Sequence, residues 1–224
     1  MIDFTKVENI PLSTKVANAL RNSIIAGAFE KGEEISLTDV ANKFGVSRTP
    51  VREAFQILAK DGLITLRMNR SAVVLGIDEH FLSDYYEIRS VLEARAASNV
   101  AERCQDFSEL ENLQAEAKAK FPMSAEDYRE YNRLFHKTLW KLSDNERLYQ
   151  MLCGLWMGIV SGNYMNIEDK QTKGIGAHEV ILEDIRKHDA NKAFYDMKTH
   201  IEGSKDNIIN NIKQTKKQLH EIIN

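Results

Sequence analysis

Apolar residues recur at helical spacing in three short segments at the start of the chain. Leu12, Val16, Leu20 and Ile24 of LSTKVANALRNSIIAG form one stripe, with Gly27 near its end. SLTDVANKFG opens with Ser36 and Asp39 at capping-box spacing. It continues through Leu37, Val40, Ala41 and Phe44 and stops at Gly45, as a helix C-terminus does. In SRTPVREAFQILAK, Val51, Ala54, Phe55, Leu58 and Ala59 define a face for burial, while Thr49, Arg52, Gln56 and Lys60 project the other way. Ser47 is placed to cap this third helix. Pro50 is tolerated in its first turn because the amides there have no intrahelical partner. Two β-rich runs, GLITLR and SAVVLG, then flank MNR as the two sides of a hairpin.

Helices joined through Gly45-Val46 predict a helix-turn-helix, and the hairpin behind it makes a winged helix. From Ile77 onward no strand pattern is present. Helices are expected over 79–104, 107–121, 125–142, 145–166, 174–188 and 190–222, with breaks at QDFS, FPMS, LSDN, IEDKQTKG and KHDAN. The expected fold is mainly α. A winged helix-turn-helix domain with a small hairpin wing spans 1–76, and an all-α six-helix bundle spans 77–224. The run MLCGLWMGIV, Met151 to Val160, is far short of the roughly 20 residues a membrane span needs and reads as a buried core helix.

Composition narrows the class. Three prolines and eleven glycines in 224 residues are too few for a turn-rich β architecture. Cys104 and Cys153 form no CxxC motif and no disulfide framework, and MIDFTKVENIPLSTK lacks a basic-then-apolar leader. A soluble, cytoplasmic protein with no membrane partner is expected. The net charge of −3 argues weakly against a nucleic-acid partner, but its distribution says more. Residues 1–76 hold ten basic and eight acidic side chains, and residues 77–224 hold twenty and twenty-five.

The positive excess coincides with Arg48, Thr49 and Arg52 at the start of the third helix. An arginine there can fork onto guanine O6 and N7, and short hydroxyl side chains can reach phosphates or bases. The plainer alternative is a solvated face shared with Glu53 and Asp61. GVSRTPVREAFQILAKDGLI resembles the signature of the GntR family of bacterial transcription regulators, in which Ser-Arg-Thr-Pro-x-Arg-Glu-Ala opens the recognition helix. The resemblance runs from about Leu12 to Val74. It implies operator contacts by Arg48, Thr49 and Arg52, with Ser47 beside them and Asn69, Arg70 and Ser71 at the wing. Relatives often carry arginine where Thr38 stands and glycine where Ser71 stands, so Thr38 is a further contact candidate.

In the bundle, Asn132 and His136 lie four apart in YNRLFHKTLW and share a helix face. His178 and His200 fall on two later helices. Three imidazoles from three helices can converge on a first-row divalent metal, although a lone histidine is more often a surface or hydrogen-bonded core residue. YYEIRSVLEARAA, NRLFH and the two later histidines resemble the FCD effector domain of the FadR-type GntR subfamily over about 78–215. That resemblance implies a metal site of Asn132, His136, His178 and His200, holding a divalent transition metal such as zinc or nickel. Asn132 stands where aspartate is common, and a neutral amide oxygen is the poorer ligand. It also implies that Arg89 meets a small carboxylate effector near the metal. The alternative for Arg89 is an i,i+4 surface pair with Glu93, worth about 0.3–0.5 kcal/mol. His80, His188 and His220 read as surface residues.

The function these features predict is a ligand-responsive transcription regulator, not an enzyme, that binds a palindromic double-stranded operator as a homodimer. A metallohydrolase is the rival from another class. HEVIL begins like a zincin motif, but Leu182 occupies the second histidine position. A third possibility is a regulator whose metal is only structural.

Overall fold

The computed structural model describes residues 11–25, 27–68, 71–156 and 167–223. The chain divides into two compact units between Asp78 and Glu79.

In the first unit, α1 (Leu12–Ile25), α2 (Leu37–Phe44) and α3 (Arg48–Lys60) accompany a three-stranded antiparallel sheet. Its strands are β1 (Glu34–Ser36), β2 (Ile64–Leu66) and β3 (Ser71–Val74), in the order β1-β3-β2. Ser36 caps α2 by accepting from the Asp39 amide. Gly45 ends it in the left-handed region at φ 63°, where its amide reaches Ala41 and Asn42. A residue with a Cβ is strained there, so the turn requires this glycine. Ser47 precedes α3 in extended conformation but makes no side-chain cap bond, unlike Ser36. Val16, Ala17 and Leu20 of α1 are buried, as are Val51, Ala54, Phe55 and Leu58 of α3, and the two helices pack together. Arg21 and Asp61, 2.5 Å apart, tie α1 to the end of α3.

Four expectations change in this unit. Leu12 is half exposed because it is the first residue of α1, and Phe44 is exposed at the end of α2. Ala59 is only half buried. The strand β1 was not expected. It is three residues long, and Ile35 is buried opposite Ala72, where the hairpin's inner edge needs a pairing partner.

The second unit has six helices among its described residues: α4 (Glu79–Arg103), α5 (Ser108–Ala119), α6 (Ala125–Leu142), α7 (Glu146–Leu155), α8 (Ile167–Arg186) and α9 (Ala190–Ile223). The helix α4 is buried on most sides, and Ala94, Ala97 and Ala101 keep it slim where α9 lies alongside. Around it pack Phe135 and Leu139 of α6, Ile181 and Ile185 of α8, and Ala193, Met197 and Ile201 of α9.

Two boundaries differ from the sequence reading. IEDKQTKG is helix rather than a break, since α8 begins at Ile167 with Glu168 and Asp169 in its first turn, where carboxylates favour a helix N-terminus. The apolar run from Met151 is not one buried helix. Helix α7 ends at Leu155, Met151 is exposed and Leu152 is buried, and residues 157–160 lie outside the described residues. No described helix is long and apolar enough to cross a membrane.

Candidate functional site

Thr38, Ser47, Arg48, Thr49 and Arg52 are all exposed on the first unit. The alternative of a solvated face shared with Asp61 loses that partner, because Asp61 is held by Arg21. The α3 face opposite Val51 and Phe55 therefore presents guanidinium groups and hydroxyls to solvent. Asn69 and Arg70 lie outside the described residues. Ser71 is buried, and its hydroxyl donates to Glu34 across the sheet.

The second unit contains a buried polar cluster. His136 of α6, His178 of α8 and His200 of α9 each offer a ring nitrogen, and these atoms lie within 4.8 Å of one another. His136 and His178 are sealed from solvent, and His200 is half buried.

Hydrogen bonds set the tautomers of two of these rings. The amide nitrogen of Gln114 donates to the Ile175 carbonyl at 2.9 Å and the Glu179 carboxylate at 3.1 Å, so its oxygen is an acceptor. The Tyr131 hydroxyl donates to that oxygen over 2.5 Å. Its own oxygen must then accept from His178 Nδ1, 2.7 Å away. This leaves His178 Nε2 as a bare lone pair, buried and with no hydrogen-bond partner. A buried acceptor without a partner costs roughly 1–3 kcal/mol, and a cation placed there would satisfy it.

His136 is set the same way by Glu93, whose Oε2 lies 2.5 Å from Nδ1. Glu93 also accepts from Trp140 Nε1 at 3.0 Å and from Arg89 Nε at 2.6 Å. Burial pushes the Glu93 carboxyl up, but Arg89, His136 and the hydrogen bonds outweigh it and hold the group near 2. The carboxylate stays charged and leaves His136 Nε2 available. Desolvation and the neighbouring imidazoles keep His178 well below the ordinary histidine range, and desolvation with His136 lowers His200 to about 3. Both are neutral ligands at neutral pH.

Arg89 makes the pair with Glu93 that was the alternative to an effector role, and the pair is buried rather than at the surface. Its guanidinium carbon lies 4.6 Å from the Trp156 ring centroid and 5.6 Å from that of Tyr86. Arg89, Asn132, His136 and His200 line one cavity of about 220 Å³, which Tyr128 and Lys170 also line. Asn132 is buried one turn before His136. Gly174 is required opposite Tyr128, because a Cβ there would overlap the tyrosine hydroxyl. His80 and His188 are exposed, and the side chain of His220 lies outside those described.

Sequence reasoning missed Tyr131, Gln114 and Trp140, which fix the rings, and Tyr128 and Lys170, which line the cavity. Tyr128 and Lys170 had a signal, since each lies eight residues before a cluster histidine on the same helical stripe. Gln114 had none.

Residues 12–74 match the family of bacterial regulatory proteins, gntR family, and residues 84–203 match the FCD domain. The HTH-type transcriptional regulator YdhC of Bacillus subtilis (strain 168) is 31% identical over 156 residues, covering 68% of this chain and 70% of that one. The gluconate operon transcriptional repressor of Bacillus licheniformis is 36% identical over 131 residues, 56% of this chain and 52% of that one. This chain therefore spans about half the length of the gluconate repressor. In three dimensions, E. coli McbR/YncC is similar with a TM-score of 0.67 at 20% identity, covering 91% of this chain and 100% of that one, a likeness of fold. The relatives are regulators rather than enzymes.

Proposed function

The chain belongs to the GntR family of bacterial regulatory proteins and is a transcription regulator with an FCD domain, and on that premise we propose a metal-dependent sensor of a small acid. In the cytoplasm, a homodimer binds a palindromic operator. Arg48 and Arg52 reach base edges from the start of α3, and Thr49, Thr38 and Ser47 contact phosphates or bases beside them. Asn69 and Arg70 of the wing extend the contact into the adjacent groove.

His136, His178 and His200 hold a divalent transition metal, zinc or nickel, with Asn132 as an additional oxygen donor. The buried, partnerless Nε2 of His178 is the observation that carries this reading, because it is an acceptor that only a cation or an added donor would satisfy. The metal supplies positive charge at the cavity wall. Arg89, braced by Glu93, presents its remaining guanidinium nitrogens to the same space, where a carboxylate effector binds.

His136→Ala tests the assignment. Elemental analysis after dialysis should show reduced zinc or nickel, and carboxylate effectors should no longer raise the melting temperature. Operator affinity without effector should change little, whereas the effector's influence on it should fall from a coupling of about 1–3 kcal/mol towards zero. Full metal content and an unaltered effector response would overturn the reading.

A further inference from the structure

Helix α4 is buried on most sides, and one stripe of it is open. Asp84, Ile88, Val91 and Arg95 are all exposed, at intervals of four, three and four residues. At 3.6 residues per turn these four fall within roughly 60° of the helix circumference. Ile88 is 55% and Val91 46% exposed, whereas the other exposed large apolar side chains described in this unit stand one to an element. Beyond Arg95 the face closes, since every residue from Ala96 to Ala101 is buried. The apolar pair is thus bounded by a carboxylate at one end and a guanidinium at the other.

Those end charges are loosely engaged within the chain. Asp84 meets His80 at 3.4 Å, an exposed pair that leaves the carboxylate side chain 61% open to solvent. The residues three and four positions from Arg95 are Val91, Leu92, Ser98 and Asn99, none of them acidic. Along the stripe the order is acidic, apolar, apolar, basic, and reversed it is its own electrostatic complement. Consider two copies of α4 laid antiparallel about a two-fold axis between residues 89 and 90. Ile88 then faces the partner subunit's Val91. Asp84 faces the partner subunit's Arg95, because 84 and 95 share the midpoint of 88 and 91. A two-fold interface requires this, since each contact of i with j recurs as j with i. Parallel pairing would set Asp84 against Asp84 and Arg95 against Arg95.

We propose that this stripe of α4 is the homodimer contact of the second unit, with two copies of the helix packed antiparallel and an Asp84–Arg95 ion pair closing each end. This rests on the proposed homodimer and names the face that forms it. Alternating intervals of four and three residues suit helices packed side by side, and an Ile–Val centre admits axes about 8–10 Å apart. A second copy fits better than a nucleic acid or an anionic membrane, which Asp84 would repel.

Sedimentation of the full-length protein over a dilution series gives the dimer dissociation constant. Asp84→Arg and Arg95→Asp each set like charges face to face twice per dimer and should raise it at least about tenfold. Ile88→Asp, beside the axis, should do the same. Combining Asp84→Arg with Arg95→Asp rebuilds both pairs with reversed signs and should recover the parent value. All three positions are exposed, so each variant should keep native circular dichroism. Parent values in the three single variants would overturn the α4 face and leave a homodimer formed elsewhere. Weakening that the double exchange does not reverse would overturn the antiparallel pairing. A parent protein that stays monomeric throughout the series and on operator DNA would sink the homodimer and this inference with it.

Discussion

His136 Nδ1 lies 2.5 Å from a carboxylate oxygen of Glu93, and both side chains are shut off from solvent. The contact fixes the histidine tautomer and orients its other nitrogen, as carboxylates behind metal-ligating histidines do. The same carboxylate neutralises Arg89, so one residue supports both the ligand cluster and the cavity's buried guanidinium.

Glu93→Gln should therefore fail on two counts. Removing one partner of a buried ion pair costs about 3–5 kcal/mol, which a urea titration would register. Loss of the oriented His136 ring should weaken zinc or nickel binding roughly 10- to 100-fold in a chelator competition. A variant with wild-type values in both measurements would show Glu93 to be dispensable.

Metal should stabilise the folded chain. Saturating dialysed protein to about 100 times the dissociation constant adds roughly 2.7 kcal/mol, visible as a higher melting temperature. His178→Ala should melt at the same temperature with and without metal. A shift of wild-type size in that variant would place the metal elsewhere.

Arg48→Ala and Arg52→Ala should each weaken operator binding while leaving the melting curve unchanged, because both side chains are exposed. A bidentate base contact is worth about 1–3 kcal/mol, or tenfold and more in affinity. Band-shift titrations at fixed salt give the answer, and wild-type affinity in both variants would remove α3 from the interface.

Footprinting should reveal two related half-sites. One recognition helix reads only a few base pairs, and a dimer doubles the readout. Protection of a single asymmetric site by a monomer would contradict the homodimer.

Lys170 gives a pH-dependent expectation. Its folded value of about 7 lies below the ordinary 10.5, so folding disfavours the charged form. The destabilisation is fully present below about pH 7 and fades as pH rises towards 10.5, where the unfolded chain also loses the proton. Lys170→Met should therefore raise the melting temperature most at or below neutral pH and least near pH 10. A gain independent of pH would point to packing instead of charge.

The winged helix was legible because its signals are local. Ser36 and Gly45 mark the ends of α2, and the apolar spacing of α3 separates a buried face from an arginine-bearing one. The short strand β1 was not legible, since three residues carry no period and Ile35 finds Ala72 only after the chain has turned back.

The sequence by itself determined the helices α1 to α3, the exposure of Arg48 and Arg52, and the candidacy of His136, His178 and His200. Each depends on neighbours within two turns, and helical geometry converts that spacing into a shared face. Only the tertiary structure decided that α6, α8 and α9 bring those rings within 4.8 Å, that Gln114 and Tyr131 bare the His178 lone pair, and that Arg89 and Glu93 pair in the interior. The first two relations join residues on different helices, the burial of the third depends on the helices packed around α4, and no periodicity in the chain encodes how its helices pack.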